Sequence, residues 1–150
     1  MDLILWRHCD ADPGVPDDAR PLSARGSKQA ARMAEWLGRH LPDRCRILVS
    51  PAVRAQQTAQ ALNRAFEIVT EIGPAASVVA VLAAAQWPEA HECVLVVGHQ
   101  PTLGRVASFL LAGEDAERTM RTGAVWWFRH RRSGEEADVA LEVAIGPDFV

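Results

Sequence analysis

Residues 93–101 read Cys93-Val94-Leu95-Val96-Val97-Gly98-His99-Gln100-Pro101. Five consecutive apolar residues place hydrophobic side chains on both faces of a strand, which stays dry only if both faces are covered. This is the central strand of a sheet lying between two layers. Gly98-His99-Gln100-Pro101 then turns the chain into a helix over residues 102–111. A buried strand feeding a helix is half of a β–α unit, and such units build parallel sheets.

The alternation continues on both sides. Leu3-Ile4-Leu5-Trp6 is a short buried strand. Residues 9–21 are rich in Asp, Pro and Gly and form a loop, long enough to carry function. Ser23 caps a helix from Ala24; Ala30, Met33, Ala34, Leu37 and Leu41 supply its apolar face and Pro42 stops it. Arg46-Ile47-Leu48-Val49 is a second strand. Ser50-Pro51 reads as an N-cap with proline at the first helical position, and Ala55, Thr58, Ala59 and Leu62 form that helix's inner stripe. Glu67-Ile68-Val69 is a third short strand, and residues 77–85 a helix ended by Trp87-Pro88. Beyond Gly113 come two β-rich runs, 124–130 and 139–145, with Ser133-Gly134 between them as a hairpin. The expected architecture is a three-layer α/β/α sandwich with a mostly parallel, mixed sheet, occupying residues 1–150 as one domain.

Composition fits an ordinary globular protein. Apolar residues make up 49% and charged residues 23% of the 150. Net charge is −3, so no general basic excess exists to hold nucleic acid. No apolar run reaches the ~18 residues of a membrane span, and the first residues have no leader pattern. Cys9, Cys45 and Cys93 are odd in number and lack a CxxC spacing, which argues against a disulfide framework or a cysteine-based zinc site. Reduced thiols in the cytoplasm are the simplest expectation. The aromatic run Trp126-Trp127-Phe128 is expected to pack one strand onto the sheet with alternate rings partly exposed.

Three strand ends carry reactive residues: Arg7-His8, Ser50-Pro51-Ala52-Val53-Arg54, and Gly98-His99. Ligands bind outside the carboxyl ends of strands in open α/β sheets. If the strands are parallel, two histidines and two arginines meet there, with no acidic partner among them. Paired guanidiniums repel unless an anion neutralises them, and each offers a fork of donors to phosphate. A neutral imidazole can attack phosphorus and form a phosphohistidine that water cleaves. A cysteine nucleophile of the Cys-x5-Arg phosphatase type is excluded by spacing: six residues beyond Cys9, Cys45 and Cys93 stand Val15, Pro51 and His99, never arginine. Asp10, Asp12, Asp17 and Asp18 match no metal-loop spacing and read as a solvated acidic loop. His40, His91 and His130 read as surface residues.

These segments resemble the histidine phosphatase superfamily, the phosphoglycerate mutase-like fold. Its Arg-His-Gly motif appears as Arg7-His8-Cys9, its Ser-Pro-x-x-Arg-Ala-x-Gln-Thr-Ala as residues 50–59, and its Gly-His-x-Pro as residues 98–101. Arg20-Pro21-Leu22-Ser23 through Ala30 also resembles the family's loop and first helix. The Arg-His-x-Asp-Ala start is most similar to the SixA-type phosphohistidine phosphatases. The resemblance implies His8 as nucleophile, with Arg7, Arg54 and His99 gripping the phosphoryl group and Arg20 beside the pocket. It implies a hydrolase without cofactor or metal. Its partner would be a phosphorylated protein or a small phosphorylated substrate, not nucleic acid or membrane. Cys9 departs from the motif glycine: if that position needs positive φ or close backbone approach, a Cβ is unwelcome there. In a cationic site Cys9 could also serve as an oxidisable thiol. Glu67, Glu71, Glu89 and Glu92 fit no pattern for a general acid. Protein phosphohistidine is favoured as substrate, with small phosphoesters as the rival, and a phosphate-binding domain weakened by Cys9 as a third reading.

Overall fold

The computed structural model describes residues 1–150. Six strands form one sheet: β1 (Asp2–Arg7), β2 (Cys45–Val49), β3 (Glu67–Ile68), β4 (Cys93–Gly98), β5 (Val125–Ser133) and β6 (Glu136–Ile145). Their order is β3-β2-β4-β1-β5-β6. The first four run parallel, while β5 is antiparallel to β1 and β6 to β5. β4 is buried at every residue, as an apolar run covered on both faces requires.

Helices α1 (Ala24–His40) and α2 (Val53–Gln60) cover one face, and α3 (Val78–Ala85) and α4 (Thr102–Ala112) the other. On the first face Met33 and Leu37 of α1 and Ala55 and Ala59 of α2 pack with Ile4, Trp6, Leu95 and Val97. On the second, Val81 of α3 and Leu103 and Val106 of α4 pack with Leu3, Leu5, Val94 and Val96. The alternation of Leu3, Ile4, Leu5 and Trp6 between the two cores is the period of two of a strand. No helix is long and apolar enough to cross a membrane.

α1 begins and ends as its sequence dictates: the Ser23 hydroxyl accepts from the Gly26 N–H at 3.0 Å, and the helix stops two residues short of Pro42. α2 differs from expectation. It starts at Val53, with Ala52 at the N-cap and no side-chain cap, so Ser50 does not cap it. Trp127 and Phe128 are buried on opposite faces, and only Trp126 is half-exposed. Asp2 anchors the hairpin to β1, accepting from Arg129 Nε at 2.7 Å and Trp127 Nε1 at 3.1 Å.

β1 connects to β2 across β4, while β4 connects to β5 across β1. The connections leave β1 and β4 in opposite directions, which opens a crevice at their carboxyl ends.

Candidate active site

The backbone ladder carries the strand ends into this crevice. The His8 N–H donates to the Gly98 carbonyl at 3.0 Å, and the Ser50 N–H to the Val97 carbonyl at 3.1 Å. His8 after β1 and His99 after β4 therefore become neighbours, their ring centroids 5.1 Å apart. Both are buried, and so is Arg54 at the start of α2, only 4% exposed.

Hydrogen bonds set the tautomers. His8 Nδ1 lies 2.8 Å from the Cys9 carbonyl oxygen, which only accepts, so Nδ1 carries the proton and Nε2 keeps its lone pair. Arg54 Nη2 donates to His99 Nδ1 at 3.3 Å. Because guanidinium cannot accept, His99 carries its proton on Nε2, which donates to Ser50 Oγ at 2.7 Å. Arg7 Nη1 donates to the Met120 carbonyl at 2.8 Å, and the buried Nε atoms of Arg7 and Arg54 have no partner.

Both rings are neutral at pH 7. Burial, then the charges of Arg54, Arg7 and Arg20, holds the His8 pKa down to about 4, against the pull of the Cys9 carbonyl. Burial, then His8 and Arg54, takes His99 down to about 3. Their ordinary value, near 6.5, applies in the unfolded chain. As pH falls below 6.5 the unfolded chain binds protons that the folded one refuses, so stability present at neutral pH is lost toward pH 4. Between pH 7 and 5 the pair is expected to remove about 3–4 kcal/mol. Urea midpoints across that range check this; a flat profile, or a His99→Gln protein with an unchanged slope, contradicts it.

One acidic side chain does enter the cluster. Asp17 lies in a one-turn 3-10 helix, Asp17–Ala19, within the long loop. Its carboxylate accepts from Arg54 Nη2 at 3.0 Å and from Arg20 Nη1 at 3.0 Å, and its carbonyl accepts from Arg54 Nη1 at 2.8 Å. The expectations of a purely solvated acidic loop and of a site without a carboxylate are both corrected. These hydrogen bonds, that of Arg20 first, hold the Asp17 carboxyl below its ordinary range. Arg20 otherwise bonds the Asp12 carbonyl at 2.9 Å, so its hydrogen bonds go to the loop rather than to the histidines.

Cys9 fits without strain. It is absent from the positions with positive φ, its N–H donates to Thr58 Oγ1 at 3.0 Å, and Thr58 in turn donates to the Arg54 carbonyl at 2.8 Å. The conformationally demanding glycine is instead Gly123, at φ +75°, whose N–H serves the carbonyls of Arg7 and His8 and where a Cβ would lie 2.7 Å from Pro147. Burial pushes the Cys9 thiol up to about 12, which overturns the idea of a thiol activated by the arginines. Cys9→Gly is expected to leave turnover within about threefold and lower stability by about 1–2 kcal/mol through lost packing and backbone freedom. Steady-state rates beside urea melts check this, and a large loss of rate would give the thiol a chemical role.

Two imidazoles framed by guanidiniums at the carboxyl ends of parallel strands define a phosphate-handling hydrolase of phosphoglycerate mutase-like architecture. Residues 3–77 match the family described as Histidine phosphatase superfamily (branch 1). A phosphohistidine phosphatase SixA homolog of Haemophilus influenzae is 35% identical, across 73% of this chain and 77% of its own. Phosphohistidine phosphatase SixA of Escherichia coli is 33% identical, across 76% of each. The structure of the protein histidine phosphatase SixA complexed with tungstate superposes with a TM-score of 0.83 at 29% identity, covering 99% of both chains. The chain belongs to the histidine phosphatase superfamily and is a phosphatase.

Proposed function

We propose that this phosphatase hydrolyses phosphohistidine on a protein through a covalent phosphohistidine on His8. The observation that carries the reading is the His8 tautomer: Nδ1–H is fixed on the Cys9 carbonyl, and Nε2 is left as an unprotonated nucleophile at neutral pH. In the first step Nε2 bonds to phosphorus and the substrate's imidazole leaves. Water then attacks phosphorus, the bond to Nε2 breaks, and inorganic phosphate departs. Arg7 and Arg54 hold the equatorial oxygens, where charge spreads in the transition state, and His99 joins them by passing its Nε2–H from Ser50 Oγ to a phosphate oxygen. The unpaired Nε donors of Arg7 and Arg54 favour this role, because a buried donor without an acceptor is costly and an oxyanion supplies one. Ser50 fixes the His99 ring, and Arg20 holds Asp17 at the rim.

Substrate class follows from the missing acid. The carboxylate at hand, Asp17, is held ionised by Arg20 and Arg54 and is a poor proton donor. An alkoxide leaving group needs a donated proton, whereas a phosphohistidine that carries a proton on its distal ring nitrogen releases neutral imidazole, the base of an acid of pKa about 6.5, without a donor from the enzyme. A cavity of about 800 Å³ beside Arg7, lined among others by Arg25, Arg121 and Trp126, leaves room for residues flanking a phosphorylated side chain. The 33% identical relative is named phosphohistidine phosphatase SixA, and the 35% identical one a homolog of it. The easy fit of Cys9 favours turnover over mere binding.

A phosphohistidine peptide, a phosphoserine peptide, sugar phosphates and p-nitrophenyl phosphate assayed side by side test the proposal. The phosphohistidine peptide is expected to lead in kcat/KM by at least about tenfold, or about 1.4 kcal/mol. A sugar phosphate in first place would transfer the reading to small phosphoesters. The arginines supply the charge, so activity is expected to survive EDTA; loss on chelation with restoration by magnesium would contradict the mechanism.

A further inference from the structure

We propose that Cys45 and Cys93 are a redox-closable thiol pair that cross-links β2 to β4 at the sheet edge opposite the active site. They are the first residues of these parallel strands and lie directly opposite each other in register. Neighbouring strands bring paired Cα atoms to about 4.8 Å, inside the 4.4–6.8 Å window of a disulfide. Both side chains share the face covered by α1 and α2. Their sulfurs are 3.0 Å apart and both thiols are free. Two thiolates binding one tetrahedral metal at about 2.3 Å stand nearer 3.8 Å apart, so this spacing favours disulfide closure over metal capture.

The two sulfurs divide the chemistry. Cys45 is half-exposed and Cys93 buried. The hydrogen bond with Cys93, and then the charge of Arg64, lower the Cys45 pKa, while the same contact and burial raise that of Cys93. Cys45, the sulfur within reach of solvent, is the attacking thiolate and Cys93 the resolving thiol. With a hydroperoxide, the Cys45 sulfur bonds to the terminal oxygen and the O–O bond breaks. An alcohol or water leaves after taking a proton, and a sulfenic acid remains. Cys93 loses its proton, its sulfur bonds to that of Cys45, the S–O bond breaks and water leaves. The two sulfurs give up the two electrons that reduce the peroxide.

The link would sit at the amino ends of β2 and β4, about 16 Å along β4 from Gly98. At the carboxyl ends the same strands are joined by Ser50 and His99. Closure therefore adds a second tie to a pair already in register and leaves the site undisturbed.

The full chain, reduced and then exposed to a small excess of hydrogen peroxide, tests this. The mass is expected to fall by two hydrogen atoms, with one peptide pair joining positions 45 and 93 and Cys9 still alkylatable after unfolding. The melting temperature should rise by about 5–10 °C, turnover should stay within about twofold, and dithiothreitol should reverse both the mass and the melting shift. Cys45→Ser and Cys93→Ser should each abolish the melting shift while keeping turnover. Added oxygen on Cys45 with Cys93 left free, dimers through Cys45, or no reaction would each overturn the proposal.

Discussion

A His8→Ala protein is expected to bind phosphate and turn over essentially nothing, with kcat lowered at least about 10⁴-fold, or about 5.5 kcal/mol. The argument is one of bond-making: the proposed route needs a lone pair at phosphorus, and the neighbouring ring does not replace it. His99 has its Nδ1 occupied by Arg54 and its Nε2 proton committed to Ser50. Rapid-quench labelling with a ³²P phosphoryl donor separates chemistry from binding. The wild-type chain should acquire an acid-labile, base-stable label on His8, and the variant none. The fold should persist, because the substitution removes a buried neutral ring that lies at the end of β1 rather than within either core. Rates like the wild type in this variant would end the covalent mechanism, whatever the substrate.

The fold was legible because its signals are local. Val94–Val97 is apolar at every position, Ser23 precedes an amphipathic stretch that Pro42 ends, and Ser133-Gly134 separates two β-rich runs; each observed element lies within a few residues of those marks. The meeting of His8, Arg54 and His99 was legible at one remove, since parallel strands must present their carboxyl ends at one edge. What stayed hidden depends on contacts made through space. Ser50 has the sequence of an N-cap, yet its hydroxyl serves His99. Thr58 reads as one more inward residue of α2, and nothing local announces that it receives the Cys9 N–H. Asp17 looks like any loop carboxylate until the loop folds back and sets it on Arg54. The motif glycine misled for a related reason. The positive φ lies at Gly123, more than a hundred residues away, while position 9 is outside the positive-φ region and carries a thiol without strain.

Arg54→Ala should lower kcat/KM by about 10²–10³-fold, or about 2.7–4 kcal/mol, while leaving the protein folded. Three features make the effect large. The guanidinium is buried, so its charge acts in a medium less screening than water. Its position is fixed before any anion arrives, by two bonds to Asp17 and one to His99. And in the proposed mechanism it shares the phosphoryl group with Arg7, whose lowered pKa records burial first and then repulsion from Arg54. Arg54→Lys should recover part of the loss, because charge returns without the planar fork. An independent signature comes from the histidines. Arg54 is among the groups that depress both rings, so the His8 and His99 pKa values should rise in Arg54→Ala when followed by NMR, His99 losing the donor on its Nδ1 as well. A variant with kcat/KM within about threefold of the wild type and unmoved histidine titrations would remove Arg54 from the phosphoryl grip and leave Arg7 and His99 to account for it.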